Sequence, residues 1–121
     1  KTKLIKYLKE IKKFNLGVDI VAINRIESIL SSDKRIRFLN RIFSQKEIAE
    51  SKEKGDKSQY FSGRFAAKEA IKKALSSYDE SANQSFKSIE ILNSKSGKPY
   101  VLTEFDQDIN ISISHDGNYA V

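Results

Sequence analysis

The sequence predicts an α+β domain: a small, mainly antiparallel sheet packed against one long helix, with shorter helices after the first strand. Three observations carry this expectation. Residues 63–75, GRFAAKEAIKKAL, place Ala66, Ala67, Ala70 and Ala74 on one side of a helical cylinder and Arg64, Lys68 and Lys72 on another. Residues 109–115, INISISH, alternate strictly, with Ile109, Ile111 and Ile113 on one face and Asn110, Ser112 and Ser114 on the other. Between residues 16 and 30 a β-branched apolar run, LGVDIVAI, gives way to apolar residues at helical spacing. At 121 residues this is one domain with a single core, small enough that assembly would help it.

In chain order, Leu4, Ile5, Leu8 and Ile11 give a lysine-rich helix with a narrow apolar edge, ending near Asn15. Residues 1–15 read as an N-terminal extension and 16–121 as the domain proper. LGVDIVAI is a strand with a single acid, Asp19, set in it. Ile23, Ile26, Ile29 and Leu30 then share a helix face, leaving Arg25 and Ser28 outward. Residues 31–43 contain a second helical piece with Ile36, Leu39 and Phe43 inward. Ser44 opens a third helix, and Glu47, three residues on, can close a capping box. The polar stretch 51–58 is a loop, and the long helix follows from about 60 to 76. FKSIEIL is a strand, NSKSGKP a turn and PYVLT its hairpin partner, with the sole proline at the strand entrance. After INISISH, DGN makes a tight turn and YAV starts a returning strand.

The absence of cysteine excludes disulfides, zinc–thiolate sites and thiol nucleophiles, and suits a cytoplasmic protein. No apolar run approaches a membrane span or the hydrophobic region of a signal peptide. The net charge of +6 invites a rival reading, a small basic nucleic-acid-binding protein. The location of that charge argues against it. Residues 1–13 hold six lysines and one acid, Glu10, so the other 108 residues are near +1. No RNP-like or G-x-x-G pattern appears either. A smaller excess lies at 25–41, where Arg25, Lys34, Arg35, Arg37 and Arg41 outnumber Glu27 and Asp33. Patches of this kind steer partners.

Four features could carry chemistry, and each has a plain structural alternative. Asp19 in an apolar strand is costly unless paired or bound to metal; it could equally be a strand-end acid facing water. Glu69 and Lys73, four apart, could be a surface ion pair worth a few tenths of a kcal/mol. That pairing leaves the row Arg64, Lys68, Lys72 unexplained, because like charges in a row suggest an anion across them, phosphates above all. His115, the only histidine, could be a hydrogen-bonded structural residue or, with Ser112 and Ser114, a phosphate donor. The turn SGKP is common in hairpins, and no Walker-type loop or Ser/His/Asp spacing is present. Residue chemistry by itself reaches an anion-and-metal site shared by a strand acid, a helix acid and scattered cations.

Taken in order, GVDIVAINRIE, GRFAAKEAIKKAL, SGKPYV and ISISHDGNYA resemble the four signatures of the holo-acyl-carrier-protein synthases, the short bacterial 4′-phosphopantetheinyl transferases. The resemblance spans residues 16–121 and implies a phosphopantetheinyl-transferase-like fold. It implies transfer of 4′-phosphopantetheine from coenzyme A to a serine of an acyl carrier protein, releasing adenosine 3′,5′-bisphosphate. It further implies Asp19 and Glu69 as Mg²⁺ ligands and Lys73 as a phosphate contact assisting the leaving group; Glu69, directly or through a metal-bound water, is our choice of base. Arg64, Gly97, Lys98, Pro99, Ser114 and His115 resemble coenzyme A contacts, and Arg25 the carrier-protein contact. Arg35 and Arg37 join Arg25 by charge alone. A homotrimer with active sites between subunits is implied, without nucleic acid or membrane as partner. The nucleophile then belongs to the partner, in keeping with the lack of an activated one here.

Overall fold

A computed structural model describes residues 3–4, 15–78, 84–104 and 108–121. Strand β1 (Val21–Ala22) runs straight into helix α1 (Ile23–Leu30), followed by α2 (Arg35–Ile42), α3 (Gln45–Ser51) and the long α4 (Lys57–Tyr78). A single 3₁₀ turn (Phe86–Ser88) precedes β2 (Glu90–Asn93) and β3 (Pro99–Leu102), and the chain closes with β4 (His115–Asp116) and β5 (Tyr119–Ala120). All described pairings are antiparallel, in two small sheets: β1-β5-β4, and the β2-β3 hairpin. This is the predicted α+β class. Apart from residues 3 and 4, the expected N-terminal helix lies outside the described residues.

Helix α4 explains its own odd sequence. One side joins Ile26, Leu30, Leu39, Ile42 and Phe43 in a core where the Phe43 and Phe61 rings meet at 4.7 Å. Another side puts Ala67, Ile71 and Leu75 against Ile89 and Ile91, with Ile109, Ile111 and Ile113 packed over them. A helix between two cores needs apolar residues around most of its circumference, so no single stripe develops. The alternation in burial at 109–114 holds, with the isoleucines packed inward and Asn110, Ser112 and Ser114 exposed. INISISH is nevertheless not the expected strand: residues 108–114 run without regular pairing and β4 begins only at His115. The sharp turn before β5 uses Gly117 at φ +58°, and the β2-β3 hairpin uses Gly97 at φ +87°.

Three other local expectations change. Residues 15–20 run alongside α4 without regular pairing, so the first strand proper is only β1. FKSIEIL opens as a 3₁₀ turn instead of a strand, because Ser85 caps it and Ser88 Oγ donates back to Ser85 O at 2.7 Å. Ile36 is 71 % exposed on the first turn of α2, while Leu39, Ile42 and Phe43 reach the core. The capping box is present in full: Glu47 N–H donates to Ser44 Oγ at 3.2 Å, and Ser44 N–H to Glu47 Oε1 at 2.9 Å. Among the described residues, no helix is long and apolar enough to cross a membrane.

Candidate active site

Gly17 brings the site together. A Cβ there would lie 1.9 Å from Ala70 O and 3.2 Å from the Ala74 Cβ, so only glycine against the alanine row lets segment 15–20 lie on α4. Two residues on, Asp19 turns its carboxylate to the helix and accepts a hydrogen bond from Lys73 Nζ at 2.8 Å. The sequence alternative, a Glu69–Lys73 surface pair, is therefore not the main contact. Asp19 is the direct partner, and Glu69 acts on Lys73 through its charge. The hydrogen bond that Lys73 donates to Asp19, then the charge of Asp19, raise the Lys73 pKa above its ordinary 10.5, with Glu69 adding to the effect. Lys73 is thus a firmly held cation beside two carboxylates, each carrying oxygen acceptors only.

The row Arg64, Lys68, Lys72 does not face one anion. Lys68 is fully buried, and its three N–H donors go to Glu47 Oε1 at 2.6 Å, Ile42 O at 2.9 Å and Phe86 O at 2.9 Å. Burial lowers its pKa, and the Glu47 carboxylate opposes that shift without cancelling it. Lys72 Nζ stands 4.0 Å from the Phe86 ring centroid, a cation–π contact. Arg64 Nη2 donates to Glu50 Oε1 at 2.9 Å and Asn93 Oδ1 at 2.7 Å, and its Nε donates to Ile91 O at 3.1 Å. Like charges can share a helix face because each has its own internal partner. Burial pushes Glu50 up, but hydrogen bonds from the Asn93 N–H, Tyr60 hydroxyl and Arg64 outweigh it and hold the carboxyl below its ordinary 4.5. Glu47 Oε2 and Glu50 Oε2 also accept from Ile91 N and Asn93 N, satisfying the edge of β2 that faces away from β3.

A cleft of about 310 Å³ opens where the N-terminal end of α4, the β2-β3 turn and the start of β4 meet. It gathers four of the predicted coenzyme A contacts, Arg64, Gly97, Pro99 and His115, although they are 51 residues apart at the extremes. Lys98 and Ser114 are exposed and outside its lining; Ser114 exchanges backbone hydrogen bonds with Val121. A second, apolar trough of about 660 Å³ lies between segments 15–19 and 108–112 over the alanine row, with Asp19 in its wall. Arg25, Arg35 and Arg37 are exposed on α1 and α2, with Arg35 Nη1 donating to Leu30 O at 3.3 Å.

Sequence reading missed Glu47, Glu50, Asn93 and Gln59 as supports. One signal was available. A lysine in an alanine-rich, doubly buried helix needs a carboxylate partner, and the capping glutamate Glu47 was the nearest acid already tied inward.

A family model described as the 4′-phosphopantetheinyl transferase superfamily matches residues 15–121. A holo-[acyl-carrier-protein] synthase of Bacillus mycoides is 37 % identical over 108 residues, covering 88 % of each chain. That of Clostridium acetobutylicum is 38 % identical over 116 residues, covering 88 % of this chain and 90 % of its own. Among solved structures, the Bacillus anthracis synthase in complex with CoA (3′,5′-ADP) superposes with a TM-score of 0.73 at 34 % identity, covering 88 % of this chain and 89 % of that one. The Helicobacter pylori synthase in complex with coenzyme A gives 0.73 at 35 % identity, over 87 % and 93 %. With the match spanning both the Asp19–Lys73 site and the cleft, the chain belongs to the 4′-phosphopantetheinyl transferase superfamily.

Proposed function

We propose that the chain is a holo-acyl-carrier-protein synthase, transferring 4′-phosphopantetheine from coenzyme A to a serine of apo-acyl carrier protein. The observation that carries the reading is the meeting of Asp19, from the segment that leads into β1, with Lys73 and Glu69 of α4. The serine hydroxyl oxygen bonds to the phosphorus bearing pantetheine; the pyrophosphate P–O bond breaks, and adenosine 3′,5′-bisphosphate leaves. Phosphoryl transfer depends mainly on positioning and charge neutralisation. A lysine held protonated beside the leaving phosphate supplies charge there, and Glu69 takes the serine proton, directly or through water.

Asp19 and Glu69 fit Mg²⁺. They already address one cation, the Lys73 ammonium, and Mg²⁺ accepts one or two carboxylates with water and phosphate completing an octahedral shell. When bound there, Mg²⁺ neutralises charge on the pyrophosphate. Arg64, Gly97, Pro99 and His115 around the cleft, with Lys98 and Ser114 at its margins, take the rest of the donor. Arg25, Arg35 and Arg37 receive the carrier protein.

The active form is read as a homotrimer with sites between subunits. Leu16, Val18 and Ile20 project from segment 15–20 at 62–83 % exposure, and Tyr119 is 52 % exposed beside them on β5. Together with the apolar trough, they form a surface that a second copy would cover. Residues 16–121 form the transferase domain in this reading and 1–15 its lysine-rich extension. The cysteine-free sequence suits the reducing cytoplasm, where the reading places it.

Incubation with apo-acyl carrier protein, coenzyme A and Mg²⁺, followed by intact-mass spectrometry, tests the function. A carrier heavier by one phosphopantetheine is expected; an unmodified carrier in the presence of folded protein overturns it.

A further inference from the structure

The only histidine in the sequence stands exposed at the start of β4, and its Nδ1 lies 2.8 Å from Gln59 Nε2. An amide nitrogen can only donate. With the Gln59 amide turned this way, His115 Nδ1 accepts, and the neutral ring that matches this pairing carries its proton on Nε2. Gln59 is the third residue of α4, where a glutamine ordinarily folds back onto the backbone N–H of the capping residue. Asp56 does cap this helix, its Oδ1 accepting from the Gln59 N–H at 3.0 Å. The Gln59 side chain instead reaches out to a residue 56 positions away. Both Gln59 and His115 line the cleft, with Lys54, Asp56 and Arg64 as its charged neighbours.

We propose that Gln59 is a positioning residue that holds His115 in the Nε2–H form, so that the ring donates to the ribose 3′-phosphate of coenzyme A. The proposal rests on the coenzyme A reading for the identity of the anion. Coenzyme A carries two anionic groups, and the bond that breaks is in the pyrophosphate, which belongs beside Glu69 and Lys73. Gln59 is ten residues before Glu69, about 15 Å of helical rise, so an anion held at its end of α4 is the other one. A fixed tautomer matters there. A ring protonated on Nδ1 would turn a lone pair toward the phosphate and repel it. With Nε2–H outward, the same ring donates a hydrogen bond to a charged acceptor, a bond of the stronger kind.

The test uses the full chain at about pH 8, above the ordinary imidazole range. With one histidine, the two ring nitrogens give an unambiguous ¹⁵N spectrum. The wild type is expected to show Nδ1 unprotonated and Nε2 protonated. Gln59→Glu offers an acceptor and should draw the proton to Nδ1, and Gln59→Leu should yield a mixture of the two forms. Calorimetric Kd values for coenzyme A and for dephospho-coenzyme A, which lacks the 3′-phosphate, are then compared. Gln59→Glu should weaken coenzyme A about tenfold or more, the loss of one hydrogen bond to a charged group, with Gln59→Leu between it and wild type. Dephospho-coenzyme A should bind all three alike. A proton on Nδ1 in the wild type, an unchanged coenzyme A Kd in Gln59→Glu, or equal weakening toward both ligands would each overturn the proposal. The readouts need no carrier protein, so failure of phosphopantetheine transfer refutes the functional reading separately.

Discussion

Lys73 is the residue whose protonation state decides what it can do. Held above its ordinary pKa by Asp19 and Glu69, it is a full cation at neutral pH and cannot take the serine proton. The role proposed for it is charge stabilisation of the departing phosphate, an effect concentrated where charge develops. Lys73→Ala should therefore lower kcat by about 100-fold, on the scale of a lost electrostatic stabiliser, and raise the KM for coenzyme A much less. Steady-state kinetics check this, and a change confined to KM would make Lys73 a ground-state clamp. The two carboxylates have a different expectation. Lys73 is 57 % exposed in its pair with Asp19, and exposed pairs add little stability. Asp19→Ala and Glu69→Ala should each abolish transfer while leaving the thermal midpoint within a few degrees of wild type. Near-normal rates in either variant at matched Mg²⁺ would remove that residue from the proposed metal site.

At the scale of elements, the contact between segment 15–20 and α4 is what assembles the site, and it depends on Gly17. The atoms a Cβ would strike are backbone, Ala70 O at 1.9 Å and Ala70 C at 2.8 Å, and neither can rotate away. Gly17→Ala should lift the segment from the helix, costing about 1–3 kcal/mol as overpacking does, and carry Asp19 out of reach of Lys73. Denaturant midpoints and transfer rates should fall together; an unchanged midpoint would mean that the segment does not pack there. The alanine row announced this approach in the sequence, as the Ser44–Glu47 spacing announced the capping box. What the sequence did not disclose was which neighbour each helix face meets. Arg64, Lys68 and Lys72 have the periodicity of an anion-binding row, yet their partners come from α2, α3, β2 and the 3₁₀ turn, up to 29 residues away. Periodicity assigns an angle around the helix and says nothing of what lies across it. Ile36 failed for the same reason: it is at the right spacing from Leu39, but on a turn with no core beneath it.

At the scale of the whole molecule, charge and apolar surface are segregated. The Lys68–Glu47 and Arg64–Glu50 pairs lie within the fold and stitch α3 and α4 to β2. Arg25, Arg35 and Arg37 are exposed on α1 and α2, and α1 follows β1 directly, so Arg25 is only six residues after Asp19 along the chain. An acidic carrier protein captured by this patch would be delivered next to the proposed metal ligands. Exposed charge contacts act chiefly on association and are screened by salt. Arg25→Glu should therefore raise the KM for acyl carrier protein most strongly at low ionic strength, about tenfold, with the difference from wild type shrinking as salt is added. The KM for coenzyme A should stay constant, because its phosphates are assigned to the cleft and to Lys73, away from the exposed face of α1. Steady-state kinetics varying each substrate in turn across a salt series check both halves. A carrier KM unchanged at low salt would take Arg25 out of the docking surface and move the search to the lysines of residues 1–13, the other concentration of positive charge in the chain.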